Sequence, residues 1–269
     1  WINYHSVDEK GHKMSKSKGN VIDPKEALDK FGAEPFRLWA AIEGNLEKTD
    51  FRCSFERIEG ASKTLTKLWN VARFISMFPE PGKEIKLNEL DKWALEEINQ
   101  LIKFSYERFN KYDFHNPSTK LKNFIWEAFA SHYLELVKNR AYNENSKFSK
   151  EEQNGALYTL NYVLQTLLKL LAPVTPLISY KIYHELYKED IHFTEFPKVE
   201  KEYLLPFKTE ELIELNSIIW KTKKDAGKSL KDLVKEAVIP EKFKVIERDL
   251  IETHKIQKLS YGEKITISL

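Results

Sequence analysis

The sequence predicts a mainly α-helical protein that ends in a small mixed α+β module, and three observations predict it. Four long segments, "FERIEGASKTLTKLWNVARFISMF", "NELDKWALEEINQLIKFSYERFNKY", "NPSTKLKNFIWEAFASHYLELVKNRAY" and "SKEEQNGALYTLNYVLQTLLKLLAPV", carry apolar residues near the 3.6-residue spacing of a helix. The joints between them are short and hold helix breakers, as in an antiparallel bundle. Toward the C-terminus the pattern changes, and two alternating pieces, "KIQKLSY" and "KITISL", flank Gly262 as a hairpin would.

Taken in order, "WINYHSV" alternates loosely and predicts a strand leading into the loop "DEKGHKMSKSKGN", Asp8 to Asn20. "IDPKEALDKFG" then carries a complete helix signature. Asp23 is the N-cap, Pro24 takes the first helical position, Glu26 completes a capping box and Gly32 ends the helix. A second short helix starts at about Glu34 ("EPFRLWAAI"), and the loop "GNLEKTDFRC" leads to the long helices, which begin near Ser54. In the second of these, Leu90, Trp93, Ile98, Leu101, Ile102 and Phe109 form one core-facing stripe. "FPEPGKE" separates the first two, while "NP" and "SKEE" supply caps for the third and fourth. "TPLISYKIYHELYKE" adds a fifth helix, with Pro176 near its start. After "FPKVEKEYLLPF" come a helix from near Thr209, a helical stretch around Leu230–Glu236, a further helix over about Glu241–Thr253, and the hairpin. There is no internal repeat and no low-complexity tract.

Composition narrows the partners. With 42% apolar and 31% charged residues, the 269-residue chain is ordinary for a globular protein and too apolar for a disordered one. The formal net charge is only +2, so a nucleic-acid partner has to be met by local basic patches. Cys53 is the single cysteine, which excludes an intrachain disulfide and a cysteine-rich zinc site and suits a reducing cytoplasm. The strongest apolar run, "LLKLLAPV", is too short for a membrane span and contains Lys169 and Pro173. The chain opens on Trp1 instead of Met and shows no signal peptide, so a fragment boundary is expected there.

The loop carries the chemistry. Lys13, Lys16 and Lys18 alternate with Ser15 and Ser17, and Gly11 and Gly19 stand on either side. Ammonium groups meet phosphate oxygens as mobile point charges, the serines and backbone N–H groups add short donors, and the glycines allow the loop to swing. The Walker pattern is missing. A lysine- and serine-rich loop is ordinarily a solvated basic turn, but the string is more specific than that. "KMSKS", followed by "KGNVIDP" and "ALDKFGAEPFRLW", resembles the signature loop of class I aminoacyl-tRNA synthetases.

The resemblance implies that residues 1–53 end a Rossmann-type catalytic domain bearing the KMSKS loop and a stem-contact region. Residues 54–197 would be a helical-bundle anticodon-binding domain, and 198–269 a small α+β C-terminal module. It implies a loop that closes over ATP, brought with Mg2+, and offsets the charge developing on the phosphates, a task of positioning and cationic charge. Lys16 would be the main catalytic lysine and Lys13 would assist it. Met14, Ser15 and Ser17 would shape the ATP contacts, and Asn20, Asp23 and Pro24 would set the next helix. "KLWNVARF" (Lys67–Phe74) and "FIWEAFASHYLELVKNRAY" (Phe124–Tyr142) look most like the valyl branch of the family. The tail "DAGKSLKDLVKEAVIP" is similar to the compact C-terminal module of its archaeal-type members. The isoleucyl branch is the alternative, and a non-catalytic tRNA-binding helical domain is the alternative from another class. Tyr4 and Arg52 depart from the small residues usual in the family. No His-x-Gly-His-like motif occurs among the seven histidines, so the other half of the ATP site is expected upstream. The chain alone is expected to bind tRNA, as a monomer, and not to activate an amino acid.

The candidates for tRNA contact are Arg57 and Lys63 near the junction, and Lys138, Asn139 and Arg140 in the bundle, with a solvated helix face as the plain reading. The basic stretch "WKTKKDAGKSLK" (Trp220–Lys231) is a further candidate, diluted by Asp225 and Asp232. Trp69, Trp93, Trp126 and Tyr133 lie on apolar stripes and are expected in the core, although exposed aromatics can stack on splayed bases. His132 with Glu135 lacks a third ligand, so no protein-bound metal is expected.

Overall fold

A computed structural model describes residues 5–45 and 50–269. The strand start "WINY", with Tyr4, and the middle of the loop before Asp50 lie outside the described residues. The chain divides into two compact units. The first comprises Trp1–Ser76, Ile98–Trp126 and Leu164–Glu200, and the second Met77–Glu97, Glu127–Val163 and Lys201–Leu269.

In the first unit, β1 (Ser6–Val7) pairs in parallel with β2 (Phe51–Arg52). Helix α1 (Pro24–Phe31) has Pro24 at its first position and Asp23 Oδ1 accepting from the Lys25 N–H at 2.8 Å; Glu26 stands in the first turn, but the reciprocal bond of the expected capping box does not form. Gly32 ends it at φ +82°, in the left-handed region that a side chain would resist. Helix α2 (Ala33–Glu43) follows at once, and α3 (Phe55–Ile75) is capped by Ser54, whose hydroxyl accepts from the Arg57 N–H. Their shared core buries Leu38, Trp39, Ile58 and Leu65, and Met14 of the lysine-rich loop packs against it. The Trp39 indole donates to the Arg52 carbonyl at 3.2 Å, and the Arg37 guanidinium donates to Val174 O at 2.8 Å. Helix α8 (Pro176–Tyr187) borders this core, and its Ile178 N–H reaches Glu34 at 3.0 Å.

The remaining long helices are α4 (Glu89–Phe109), α5 (His115–Phe124), α6 (Leu134–Tyr142) and α7 (Lys150–Leu171). In the α4 stripe Leu90, Trp93, Ile98, Leu101 and Ile102 are buried, while Phe109 at the helix end is partly exposed. The third predicted helix differs from its reading in two respects. Its start is fixed by Asp113, whose carboxylate accepts from the Asn116 N–H at 3.0 Å, and not by "NP". Its middle, Ile125–Tyr133, is a wide π-helical stretch between α5 and α6. A π-turn holds more than four residues, so the buried face broadens to take in Ala128, Phe129, Ala130, His132 and Tyr133. Helix α7 begins with a reciprocal cap between Ser149 and Glu152.

In the second unit, α9 (Thr209–Asp225) is followed by a three-stranded sheet of order β4-β3-β5. The stretch predicted as helical around Leu230–Glu236 is instead a turn running into strand β3 (Val234–Ile239). A turn closed by Asp232 accepting from the Ser229 N–H breaks the helix, and β-branched Val234, Val238 and Ile239 suit the central strand. The predicted helix over Glu241–Thr253 is a 3-10 segment, Glu241–Ile246, and then α10 (Glu247–His254). The expected hairpin is absent as well. β4 (Ile256–Tyr261) pairs in parallel with β3, and β5 (Thr266–Ser268) pairs antiparallel on its other side, with Ala237 opposite both Leu259 and Ile267. β3 thus sits between the two pieces that the sequence pattern joins to each other.

Candidate functional site

The lysine-rich loop is built on a tight hairpin. Val7 bridges Lys13, the Asp8 N–H reaches His12 O, and Asp8 Oδ1 accepts the N–H groups of Lys10 (3.0 Å) and His12 (2.8 Å). Asn20, at the far end, closes the loop: its Nδ2 donates to Asp8 Oδ2 at 3.0 Å and its Oδ1 accepts from the Ser15 N–H at 3.0 Å. The Asn20 side-chain N–H, then the His12 N–H, hold the Asp8 carboxyl below its usual range. The Met14 N–H donates to Ser6 O, which ties the loop back to β1. Residues Lys16–Lys18 make one 3-10 turn, ended by Gly19 at φ +64°, and the Ser15 and Ser17 hydroxyls stand 3.2 Å apart.

The side chains of Lys13, Lys16 and Lys18 extend from this frame into solvent, and among the described residues none of the three makes an ion pair. A pinned backbone that presents three exposed ammonium groups can receive a polyanion. From sequence Asn20 was expected to set the next helix and Asp8 only to mark the start of the loop; instead the two close it together. An acidic residue seven positions ahead of the serine whose N–H its partner holds leaves no recognisable pattern in sequence.

Behind the hairpin stands a charged clamp. Glu9 accepts from the Arg57 guanidinium through both oxygens, at 2.6 and 3.2 Å, and from the Ser54 hydroxyl at 2.6 Å. Arg57 Nη1 donates to Glu43, at the end of α2, at 2.6 Å. Arg57 first, and Ser54 second, depress the Glu9 pKa, while Glu9 raises that of Arg57. Cys53, buried beside the clamp, has its thiol pushed up to about 11 by burial, so it stays protonated and unreactive near neutral pH.

The residues predicted to meet RNA separate into distinct environments. Lys63 and Lys138 pair with Glu59 and Glu135 along their own helices at 2.8 Å; the Lys63 pair is exposed, a contact of the kind that exchanges readily for a phosphate, and the Lys138 pair is half-buried. Asn139 donates to Glu252 O at 3.1 Å. Arg57 is held by the two glutamates. Arg140 must be withdrawn from the RNA-contact set: its side chain has no exposed surface and is enclosed by Asp91 and Asp249. In "WKTKKDAGKSLK", Lys223 is internal and donates to the carbonyls of Leu230 (2.9 Å) and His254 (2.8 Å), whereas Lys221, Lys224, Lys228 and Lys231 are exposed. Of the aromatics expected in the core, Trp93 and Tyr133 are buried, but Trp69 and Trp126 are 44% and 38% exposed. Trp126 donates to Thr64 at 2.9 Å and carries Lys67 over its ring. His132 is hydrogen-bonded with Asn216, and among the described residues no group of three or more His, Cys, Asp and Glu side chains is placed to hold a metal ion. Among the same residues, no helix is long and apolar enough to cross a membrane.

Known proteins resemble this chain in two segments. Residues 91–239 match the anticodon-binding domain of tRNA ligase, and residues 2–52 match the tRNA synthetases of class I (I, L, M and V). A valine--tRNA ligase of Pyrobaculum aerophilum is 38% identical over 97% of this chain and 33% of its own length. Those of Aeropyrum pernix and Pyrococcus furiosus are 34% and 36% identical, over 95% and 93% of the chain and 32% and 29% of their own lengths. The chain therefore spans about a third of the length of these relatives. In fold it is similar, at TM-score 0.53 and 15% identity, to the LeuRS of an Agrobacterium radiobacter K84 LeuRS-tRNA-LeuAMS ternary complex, covering all of this chain and 32% of that one. With a family match over more than half of its length, the chain belongs to the tRNA-ligase anticodon-binding domains, preceded by a segment of the class I synthetases.

Proposed function

We propose that this chain is the C-terminal part of a valyl-tRNA synthetase, which ligates valine to its tRNA through valyl-adenylate at the expense of ATP. The observation that carries the reading is the loop Lys13–Lys18: three exposed lysines, without an ion pair among the described residues, on a backbone fixed by Asp8 and Asn20, in a segment that matches the class I synthetases. Residues 1–53 are assigned to the end of the Rossmann-type catalytic domain, 54–197 to the anticodon-binding bundle and 198–269 to the terminal module.

In this reading Lys16 and Lys13 lie against the phosphates of ATP, which arrives with its magnesium as substrate. Their charge stabilises the pentavalent arrangement as the carboxylate of valine attacks and pyrophosphate leaves. Ser15 and Ser17 supply hydroxyl donors, Met14 shapes the loop by packing against the core beneath it, and Gly19, at φ +64°, ends its turn. Closure requires a surface outside this chain, so ATP is handled only in the full-length enzyme. The contacts with tRNA are assigned to Lys63, Lys138 and Asn139, with the exposed lysines of Lys221–Lys231 as a further phosphate-facing strip.

The test is amino-acid-dependent ATP–pyrophosphate exchange by the full-length enzyme. Valine is expected to support exchange at least tenfold better than isoleucine in kcat/KM, a margin of the size one methylene provides. Exchange that favours isoleucine would assign the protein to the isoleucyl branch.

A further inference from the structure

We propose that Arg57 is a positioning residue for the lysine loop, setting its height through Glu9 and linking it rigidly to α3. The inference rests on the reading of Lys13–Lys18 as an ATP loop. Glu9 stands at the tip of the hairpin that leads directly into Lys13, and both of its oxygens are taken by Arg57. The same guanidinium holds Glu43, so one planar side chain joins three pieces of chain: the hairpin, the end of α2 and the first turn of α3. Ser54 strengthens the joint, because its hydroxyl donates to Glu9 and also accepts from the Arg57 N–H.

The geometry gives this joint leverage. The loop is closed at its far side by Asn20 onto Asp8, the residue next to Glu9, so hairpin and loop move as one piece. On the other side, α3 is a continuous helix from Phe55 to Ile75, about 30 Å long at the usual rise per residue. It carries Lys63 and Lys67 outward from the joint. A bidentate fork fixes direction as well as distance, which a single ammonium contact does not. Arg57 therefore hands the orientation of α3 to the residues that close over ATP, and a shift of α3 on binding RNA reaches the lysines through this pair. A mere stabilising contact would leave the rate of the chemical step alone once the protein had folded. A positioning contact acts on kcat.

The experiment compares Glu9→Gln, Arg57→Gln and Arg57→Lys, and the Glu9→Gln/Arg57→Gln pair, in the full-length enzyme, with Lys16→Ala as reference. Each glutamine variant is expected to lower kcat of ATP–pyrophosphate exchange about tenfold, with the KM for valine and the thermal midpoint unchanged. The double variant is expected to be no slower than the slower single, because the two residues act as one unit. Arg57→Lys should recover part of the rate, through charge without the fork. Wild-type exchange rates in the glutamine variants, alongside a crippled Lys16→Ala enzyme, overturn the positioning role and leave the loop assignment standing. Independent, additive losses with raised KM for valine or lowered thermal midpoints also overturn it, as the mark of general damage. Full activity in Lys16→Ala removes the loop reading and this inference together.

Discussion

Arg140 shows how context decides the role of a residue. On the sequence it is one more cation on a helix face, yet its guanidinium bonds both oxygens of Asp91 at 2.7 and 2.8 Å, Asp249 at 3.0 Å and the Glu152 carbonyl at 3.1 Å. The Tyr133 hydroxyl donates to the same Asp91 at 2.8 Å. Removing the cation strands two buried carboxylates, so Arg140→Ala is expected to lower the unfolding free energy by about 3–5 kcal/mol in urea titrations at pH 7. A buried cluster nearby in the sequence adds a pH response. Burial first, then the charge of Lys223, pushes the His254 pKa down to about 3. The fold favours the neutral ring, which donates from Nε2 to Asn216 Oδ1 at 2.9 Å. Its contribution is complete above the unfolded pKa of about 6.5 and is lost as the pH falls through that value toward 3. Burial pushes Asp249 up to about 6, which works in the opposite direction: that contribution is complete below about 4 and is lost as the pH rises through about 6. His254→Phe isolates the first effect. Urea midpoints of the variant should fall less than those of the parent between pH 6.5 and 4, and identical slopes would contradict the buried neutral histidine.

At the scale of elements, helix α7 packs against the chain that precedes α4 through Gly155. A Cβ there would stand 2.1 Å from the Lys86 carbonyl oxygen and 2.9 Å from its carbon, contacts with backbone that has no rotamer to change. Helix propensity alone would make Gly155→Ala stabilising by roughly 1 kcal/mol. The close approach reverses the sign, and a loss of about 1–3 kcal/mol in thermal or urea unfolding is expected. This contrast also marks what a sequence discloses. Local punctuation was legible: Asp23, Pro24 and Gly32 bound α1, Ser54 opens α3, and the α4 stripe is buried from Leu90 to Ile102. The strand β3 was not, because its pairing partners lie about twenty to thirty residues downstream and its preceding lysines read as helix. The π-helical stretch shifts which residues share a face, so a single 3.6-residue period misplaced Trp126. The lysine loop announced itself by its string of residues. Its supports did not, since Glu9 and Arg57 are 48 positions apart and each is a common surface residue.

For the molecule as a whole, a net charge of only +2 means that any hold on tRNA comes from local cations. Binding of the tRNA by the full-length enzyme should weaken steeply as salt rises, through release of counterions from the phosphates. Lys138→Ala should reduce the slope of log K against log salt by about one, and an unchanged slope would remove Lys138 from the phosphate contacts. The central claim concerns ATP, and ATP–pyrophosphate exchange by a full-length Lys16→Ala enzyme tests it most directly. The account predicts a fall in kcat of about a hundredfold or more, with tRNA affinity close to that of the parent. Exchange at the parental rate would contradict it.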